Sequence, residues 1–307
     1  MTKIVDAHMH IYESKEQGLR NKTNYQIWEY GRKDSQRYSN FGGDLEDALS
    51  AMRDAGYDHG VVVNLFAVGR ERDAAVNKLA AELLGEDRKR AIAEIDATMG
   101  DRLKKSNLGI CDQLKDLPNL TPFVAADPWA LSPAEGVAHL RDMVENHGAK
   151  GIKVHPILQH VKVDGEYVSR VAGKAAERNV PLIIHAGGTG RLFGLSSRFR
   201  TEPVEFSRLA SRVRDAKIVV AHMGLWECPE IIRQVAPHQN IFLDVSFQSP
   251  EVLKQVKLMI PVSRLLLGSD SPVGNVSIVM ENCVLAGYSE SELRALFWDN
   301  PRRLLGG

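Results

Sequence analysis

Eight short β-branched apolar runs recur along this chain, each followed by a turn and an amphipathic stretch, and this alternation restricts the fold more than any other feature. The runs are Lys3–Ala7, Gly60–Phe66, Leu120–Ala126, Lys150–His155, Val180–His185, Lys217–His222, Asn240–Val245 and Arg264–Ser269. Each is nearly continuous in apolar side chains, the pattern of parallel strands buried on both faces. Parallel neighbours need right-handed crossovers through a helix. Eight such units predict an α/β chain closed into a (β/α)8 TIM barrel. The chain has 307 residues, and barrels of about 250 residues or more fold as one unit, so 1–307 reads as a single domain.

The punctuation agrees. Asp44 is placed to cap LEDALSAMRDAG, which stops at Gly56. Ser132-Pro133 opens a second helix that ends before Gly148, and Pro203, Pro229 and Pro250 mark later helix starts. Two segments break the rhythm. Tyr12–Gly43 is a long polar and aromatic loop after the first strand, holding Tyr12, Tyr25, Trp28, Tyr30, Tyr38 and Phe41. It reads either as a lid over the site or as a surface insertion packed on the rim. Residues 70–116 have room for two or three extra helices between strands two and three.

Composition narrows the function. The apolar fraction of 44% can bury a core, and 39 basic against 39 acidic side chains give no net charge, which excludes a disordered chain. No basic stripe points to nucleic acid or an anionic membrane surface, and no apolar run reaches the ~18 residues of a transmembrane helix. The N-terminus MTKIVDAHMH lacks the apolar stretch of a signal peptide. Cys111, Cys228 and Cys283 are widely spaced and odd in number, as reduced thiols of a cytoplasmic protein would be.

The chemistry sits where strands end. The first run closes on His8 and His10, two residues apart and so on one face of a strand. The fourth ends in Lys153 and His155, the fifth in His185, the sixth in His222 and the eighth in Asp270. Barrel active sites lie at this C-terminal face. Imidazoles plus a carboxylate gathered there suit a divalent transition metal with one position left for water. The other histidines, His139, His147, His160 and His238, fall in helical or loop contexts and read as solvated or capping groups.

DAHMH, His185, His222, Asp270 and the closing DNPRRLLG resemble the amidohydrolase superfamily. More narrowly, they are similar to the amidohydrolase-related branch of aminocarboxymuconate semialdehyde and resorcylate decarboxylases and predicted metal-dependent hydrolases. The resemblance implies that His8, His10, His185 and Asp270 bind one divalent metal, usually zinc, and that His222 assists the water or the substrate. It also implies a small-molecule substrate and a homodimer. Asp270 is suited to ligate the metal and to carry a proton to the leaving group, with the alternative that it only orients a histidine. His222 serves as base when neutral, as electrostatic stabiliser when charged, or as a further ligand.

Lys153 carries two readings. Carboxylated, as in part of the superfamily, it would bridge a second metal; otherwise it pairs with a carboxylate or the substrate, and His155 faces the site beside it. Arg191, Arg198 and Arg200 follow strand five and could clamp a substrate carboxylate or lie solvated. The Gly187-Gly188 pair allows a tight turn there. Asp244 caps its strand or orients substrate, and Trp129 and Trp226 line a pocket or sit on the rim. The expected activity is metal-dependent hydrolysis of a small ester, lactone or amide. The alternative is non-oxidative decarboxylation of an aromatic or muconate-type acid, and a third class is a metal-binding protein without activity.

Overall fold

Each apolar run forms a strand: β1 (Val5–Met9), β2 (His59–Val63), β3 (Leu120–Ala125), β4 (Gly151–Val154), β5 (Leu182–Ile184), β6 (Ile218–Val220), β7 (Ile241–Asp244) and β8 (Leu265–Leu266). The computed structural model describes residues 3–30, 41–187 and 201–306, with backbone alone for 24–30 and Arg70. The strands pair in parallel and in chain order from β1 to β8. The seam closes through backbone bonds from Ala7 N–H to Leu267 O, from Asp270 N–H to His8 O and from His10 N–H to Ser271 O, each 2.7 Å long. This is the (β/α)8 barrel that the alternation predicts. Its strands are shorter than the apolar runs, so His155, His185, His222 and Asp270 stand just beyond the strand ends.

Residue parity sorts the core into two layers. Leu182 and Ile184, Ile218 and Val220, and Ile152 and Val154 face outward and pack with helix residues such as Leu140, Val171, Phe206 and Ile231. The residues between them turn inward, where Ile183, Val219, Phe123, Val61 and Leu266 fill the lower lumen above Leu304. Gly151 makes room for this plug, since a Cβ there would lie 2.2 Å from the Phe123 ring.

The outer helices begin and end as their punctuation predicts. In α2 (Leu45–Ala55), Asp44 accepts from Asp47 N–H, and Gly56 takes the left-handed conformation that ends the helix. A reciprocal Ser132–Glu135 capping box opens α5 (Pro133–Asn146). Prolines sit in the first turns of α8 (Pro203–Arg212), α9 (Cys228–Val235) and α10 (Pro250–Met259). Between β2 and β3 come α3 (Gly69–Asn77) and α4 (Gly85–Leu114). Buried Asn107 of α4 pins this insertion to β3, donating to Ala125 O at 2.9 Å and accepting from Ala125 N–H at 2.8 Å. Its amide also lies 3.1 Å from His139 Nε2. His139 is therefore a buried core histidine, a correction to its reading as solvated or capping: on the inward face of α5 it meets the Asn107 network.

The long segment after β1 is partly helical, with α1 over Lys15–Tyr30. Its base is fastened by Tyr12 N–H to Gly43 O, and Lys22 Nζ donates to Phe41 O at 2.8 Å. Helix and return strand touch so closely that a Cβ on Gly18 would fall on Gly42 O. Residues 31–40 lie outside the described residues. Among the described residues, no helix is long and apolar enough to cross a membrane.

Two predictions test this frame. Phe123→Ala should empty the lumen plug and lower unfolding free energy by about 3–5 kcal/mol, read as a shifted urea midpoint at unchanged slope. Asp6 is buried at the seam, accepting from Ser269 N–H at 2.9 Å and from the Ser269 hydroxyl. Burial pushes its pKa from 3.8 up to about 7, against the pull of the Ser269 and His8 donors. The native state then holds a proton that the unfolded chain has released, so this group's contribution to stability is lost as pH rises through about 4 to 7. Asp6→Asn should flatten that part of the stability–pH curve, and an unchanged slope in denaturation from pH 4 to 7 would contradict the assignment.

Candidate metal and active site

Six strand ends bring ionisable side chains into the upper lumen. Lys153 lies between the outward-facing Ile152 and Val154, and Asp244 shares the inward parity of Phe242, so both point inside. His8, His10, Lys153, His155, His185, His222, Asp244 and Asp270 are all buried. Asp270 and His222 reach the centre from left-handed backbone, at φ 57° and 56°. Such conformations are costly for side chains other than Gly, Asn and Asp, and concentrate at functional sites.

The ring nitrogens are sorted by their outer partners. His8 Nδ1 lies 2.8 Å from Asp244 Oδ2, His10 Nδ1 2.6 Å from Val63 O, and His222 Nδ1 2.6 Å from the Ser246 hydroxyl. A carboxylate or carbonyl can only accept, so His8 and His10 each carry a proton on Nδ1 and turn Nε2 inward. Both Nε2 atoms converge on Asp270: Oδ1 lies 2.9 Å from His10 Nε2 and 3.4 Å from His8 Nε2, while Oδ2 lies 4.0 Å from His222 Nε2.

Burial, reinforced by the Lys153 charge, pulls the His8 pKa down to about 4. Burial likewise lowers His222, and holds His155 and His185 well below the usual imidazole range. These rings are neutral at pH 7, as metal ligands must be. Burial opposes ionisation of Asp270, but the electrostatic pull of the His222 imidazole and the hydrogen bond from His10 outweigh it and hold the carboxyl below its usual range. Asp244 follows the same balance through His8, His222 and Ser246.

The donor set fits a divalent cation. Ligand atoms of His8, His10 and Asp270 lie within 4.8 Å of one another, as do those of His8, His222 and Asp244. The first set is the better cradle, because in the second Asp244 already binds His8 Nδ1. At 2.9 Å, His10 Nε2 and the carboxylate oxygen need positive charge between them, which a proton on Nε2 or a bound cation supplies.

The remaining expectations sort as follows. Lys153 Nζ lies 3.3 Å from His8 Nε2, and burial lowers its pKa to about 8 against the charges of Asp270 and Asp244. His155 caps the short α6 (Pro156–Gln159), its Nδ1 accepting from Leu158 N–H. Its ring stacks on His185 at 3.8 Å between centroids. His185 reaches the cluster edge-on to His222, 5.1 Å ring to ring, but is in neither close-spaced ligand set. Arg191, Arg198, Arg200 and Gly188 lie outside the described residues. Trp226 is exposed; Trp129 donates to Gln159 O at the rim.

Sequence reasoning undervalued Asp244. It is a hub: Oδ2 takes His8 Nδ1–H and His222 N–H, and Oδ1 takes Ser246 N–H and its hydroxyl. Inward parity at the end of β7, with Ser246 two residues on, was the signal available. Gln159 was missed as well. Its amide donates to Phe66 O and Ala126 O and accepts from His155 N–H, tying together the loops after β2, β3 and β4.

Solved structures share this fold at low identity. 5-Carboxyvanillate decarboxylase LigW from Sphingomonas paucimobilis is similar at TM-score 0.66 and 13% identity, over 100% of this chain and 99% of that one. A dihydroxybenzoic acid decarboxylase from Polaromonas sp. JS666, solved with manganese and 2-nitroresorcinol, gives 0.66 and 16%, over 100% and 97%. A candidate 2-pyrone-4,6-dicarboxylic acid hydrolase from Pseudomonas putida gives 0.57 and 17%, over 100% and 98%. No curated protein matches the chain in sequence. The amidohydrolase family model matches residues 114–307, well over half of the chain and including His185, His222, Asp244 and Asp270. The chain belongs to the amidohydrolase family and is an enzyme of that superfamily built on a (β/α)8 barrel.

Proposed function

We propose that this protein is a metal-dependent hydrolase of a small ester, lactone or amide. The observation that carries the reading is the two-sided placement of Asp270: Oδ1 faces Nε2 of His8 and of His10, and Oδ2 faces His222. His8, His10 and Asp270 would hold one divalent ion, with His185 as a further imidazole, and this nitrogen–oxygen donor set suits zinc. When bound, the ion would supply Lewis acidity that lowers the pKa of water and polarises a carbonyl.

The chain's own residues supply the rest. Asp270, held ionised, accepts the proton of the attacking water and returns it to the leaving oxygen or nitrogen. His222 stays neutral, with Nδ1 fixed by Ser246, and orients the water or donates to the charge developing on the carbonyl oxygen. Asp244 keeps the His8 lone pair aimed inward, as carboxylates behind ligating histidines do. Arg191, Arg198 and Arg200 remain proposed partners for a substrate carboxylate. A second reading, decarboxylation of an aromatic acid, is favoured by the decarboxylases among the similar structures.

Three variants test the proposal. His10→Ala should bind less than a tenth of the wild-type metal by elemental analysis after dialysis, and unchanged content refutes its ligand role. Asp244→Asn should weaken metal affinity by about 10–100-fold without loss of fold, read by chelator competition. Asp270→Asn should lower kcat by at least about 100-fold with KM little changed; a raised KM alone contradicts proton transfer. Ester, lactone and amide hydrolysis should be detected as acid release, whereas carbon dioxide release from hydroxybenzoates without ester turnover would favour the second reading.

A further inference from the structure

We propose that the phenol of Tyr12 donates a hydrogen bond to the oxygen of the substrate carbonyl, a role that rests on the hydrolytic reading above. Tyr12 follows His10 by two residues and stacks its ring alongside that imidazole, at 6.4 Å between centroids and 24° between planes. Its backbone is fixed by the bond from its N–H to Gly43 O at 2.7 Å. From the other side α1 confines the ring, since a Cβ on Gly18 would lie 2.9 Å from Tyr12 Cδ2.

The residue is only partly buried, yet its hydroxyl is shut off from solvent and has no hydrogen-bond partner of good geometry. Asn21 of α1 is a side-chain neighbour, and Asp270 is close enough for its charge to bear on the phenol. A buried hydroxyl left so is destabilising, and native structures keep such groups where a ligand satisfies them. A phenol donates one hydrogen and accepts another. Beside Asp270, which already faces Nε2 of two imidazoles, the remaining demand is for a donor to a substrate oxygen gaining negative charge. His222 reaches the substrate oxygen from the end of β6, and Tyr12 supplies a second donor from the end of β1.

The test is Tyr12→Phe in the zinc-loaded protein, with p-nitrophenyl acetate as ester, methylphosphonate as tetrahedral oxyanion probe, and thermal unfolding alongside. The expected result is a kcat lower by about 100-fold, KM within about twofold, phosphonate binding weaker by about tenfold or more, and a melting temperature unchanged or raised. Wild-type kcat and phosphonate affinity in the variant would overturn the inference. So would a lowered melting temperature with intact kcat, which marks a hydroxyl serving only the packing of α1. If the wild type hydrolyses no ester but binds phosphonate more tightly than the variant, the hydrolytic reading falls and the donor role stands. Absence of phosphonate binding by both proteins overturns the donor role.

Discussion

The seam between β1 and the chain following β8 is the constraint on which the site depends. Asp270 is 260 residues from His10 in sequence, yet its N–H bonds to His8 O and His10 N–H bonds to Ser271 O. These backbone bonds set the three side chains at adjacent positions of one barrel mouth, and no side-chain attraction is needed to bring them together. Asp6 anchors the same seam from below through Ser269. The β1 register shifts against β2 between Asp6 and Met9, so the strand end is re-aimed just where the His8–His10 pair begins. Closure of the barrel and assembly of the cluster are the same event.

Collecting two carboxylates, a lysine and five imidazoles out of water is expensive unless each charge is answered. Asp244 is answered fully, with four donors shared between its two oxygens. Asp270 is answered through its imidazole neighbours, and the neutral rings avoid further charge. The apolar plug formed by Phe123, Ile183 and Leu266 lies directly below and keeps water from entering from beneath. Low polarity there strengthens every interaction above it. Removing either member of the His8–Asp244 pair would leave a buried polar group without its partner.

Much of this was legible before any coordinates. The eight apolar runs gave the barrel, because parallel strands covered on both faces read as continuous hydrophobic stretches. The positions of His8, His10, His185, His222 and Asp270 at the ends of those runs located the site's rim. What could not be read were features that depend on three-dimensional closure or on unusual backbone. Left-handed turns at His222 and Asp270 decide where those side chains point, and neither residue type announces that conformation. His155 follows Lys153 at strand spacing, but β4 has already ended there; its Nδ1 accepts from Leu158 N–H and its ring stacks on His185, contacts that the spacing does not announce. Asp244 looked like a strand cap because its partners, His8 and His222, come from other strands.

The relation between Lys153 and His8 follows from these placements. Asp244 fixes the His8 proton on Nδ1, so the Nε2 lone pair is the only free valence of that ring. Lys153 Nζ stands 3.3 Å from it, and a lone pair can face an ammonium or a divalent cation but not both. The ammonium is a weak competitor, since burial has already pulled the lysine pKa to about 8. A cation shared by His8, His10 and Asp270 would also take up the negative charge that steadies the protonated lysine. In the proposed metal site, metal entry would thus favour loss of the lysine proton, and without the ion β4 contributes the cation that faces His8.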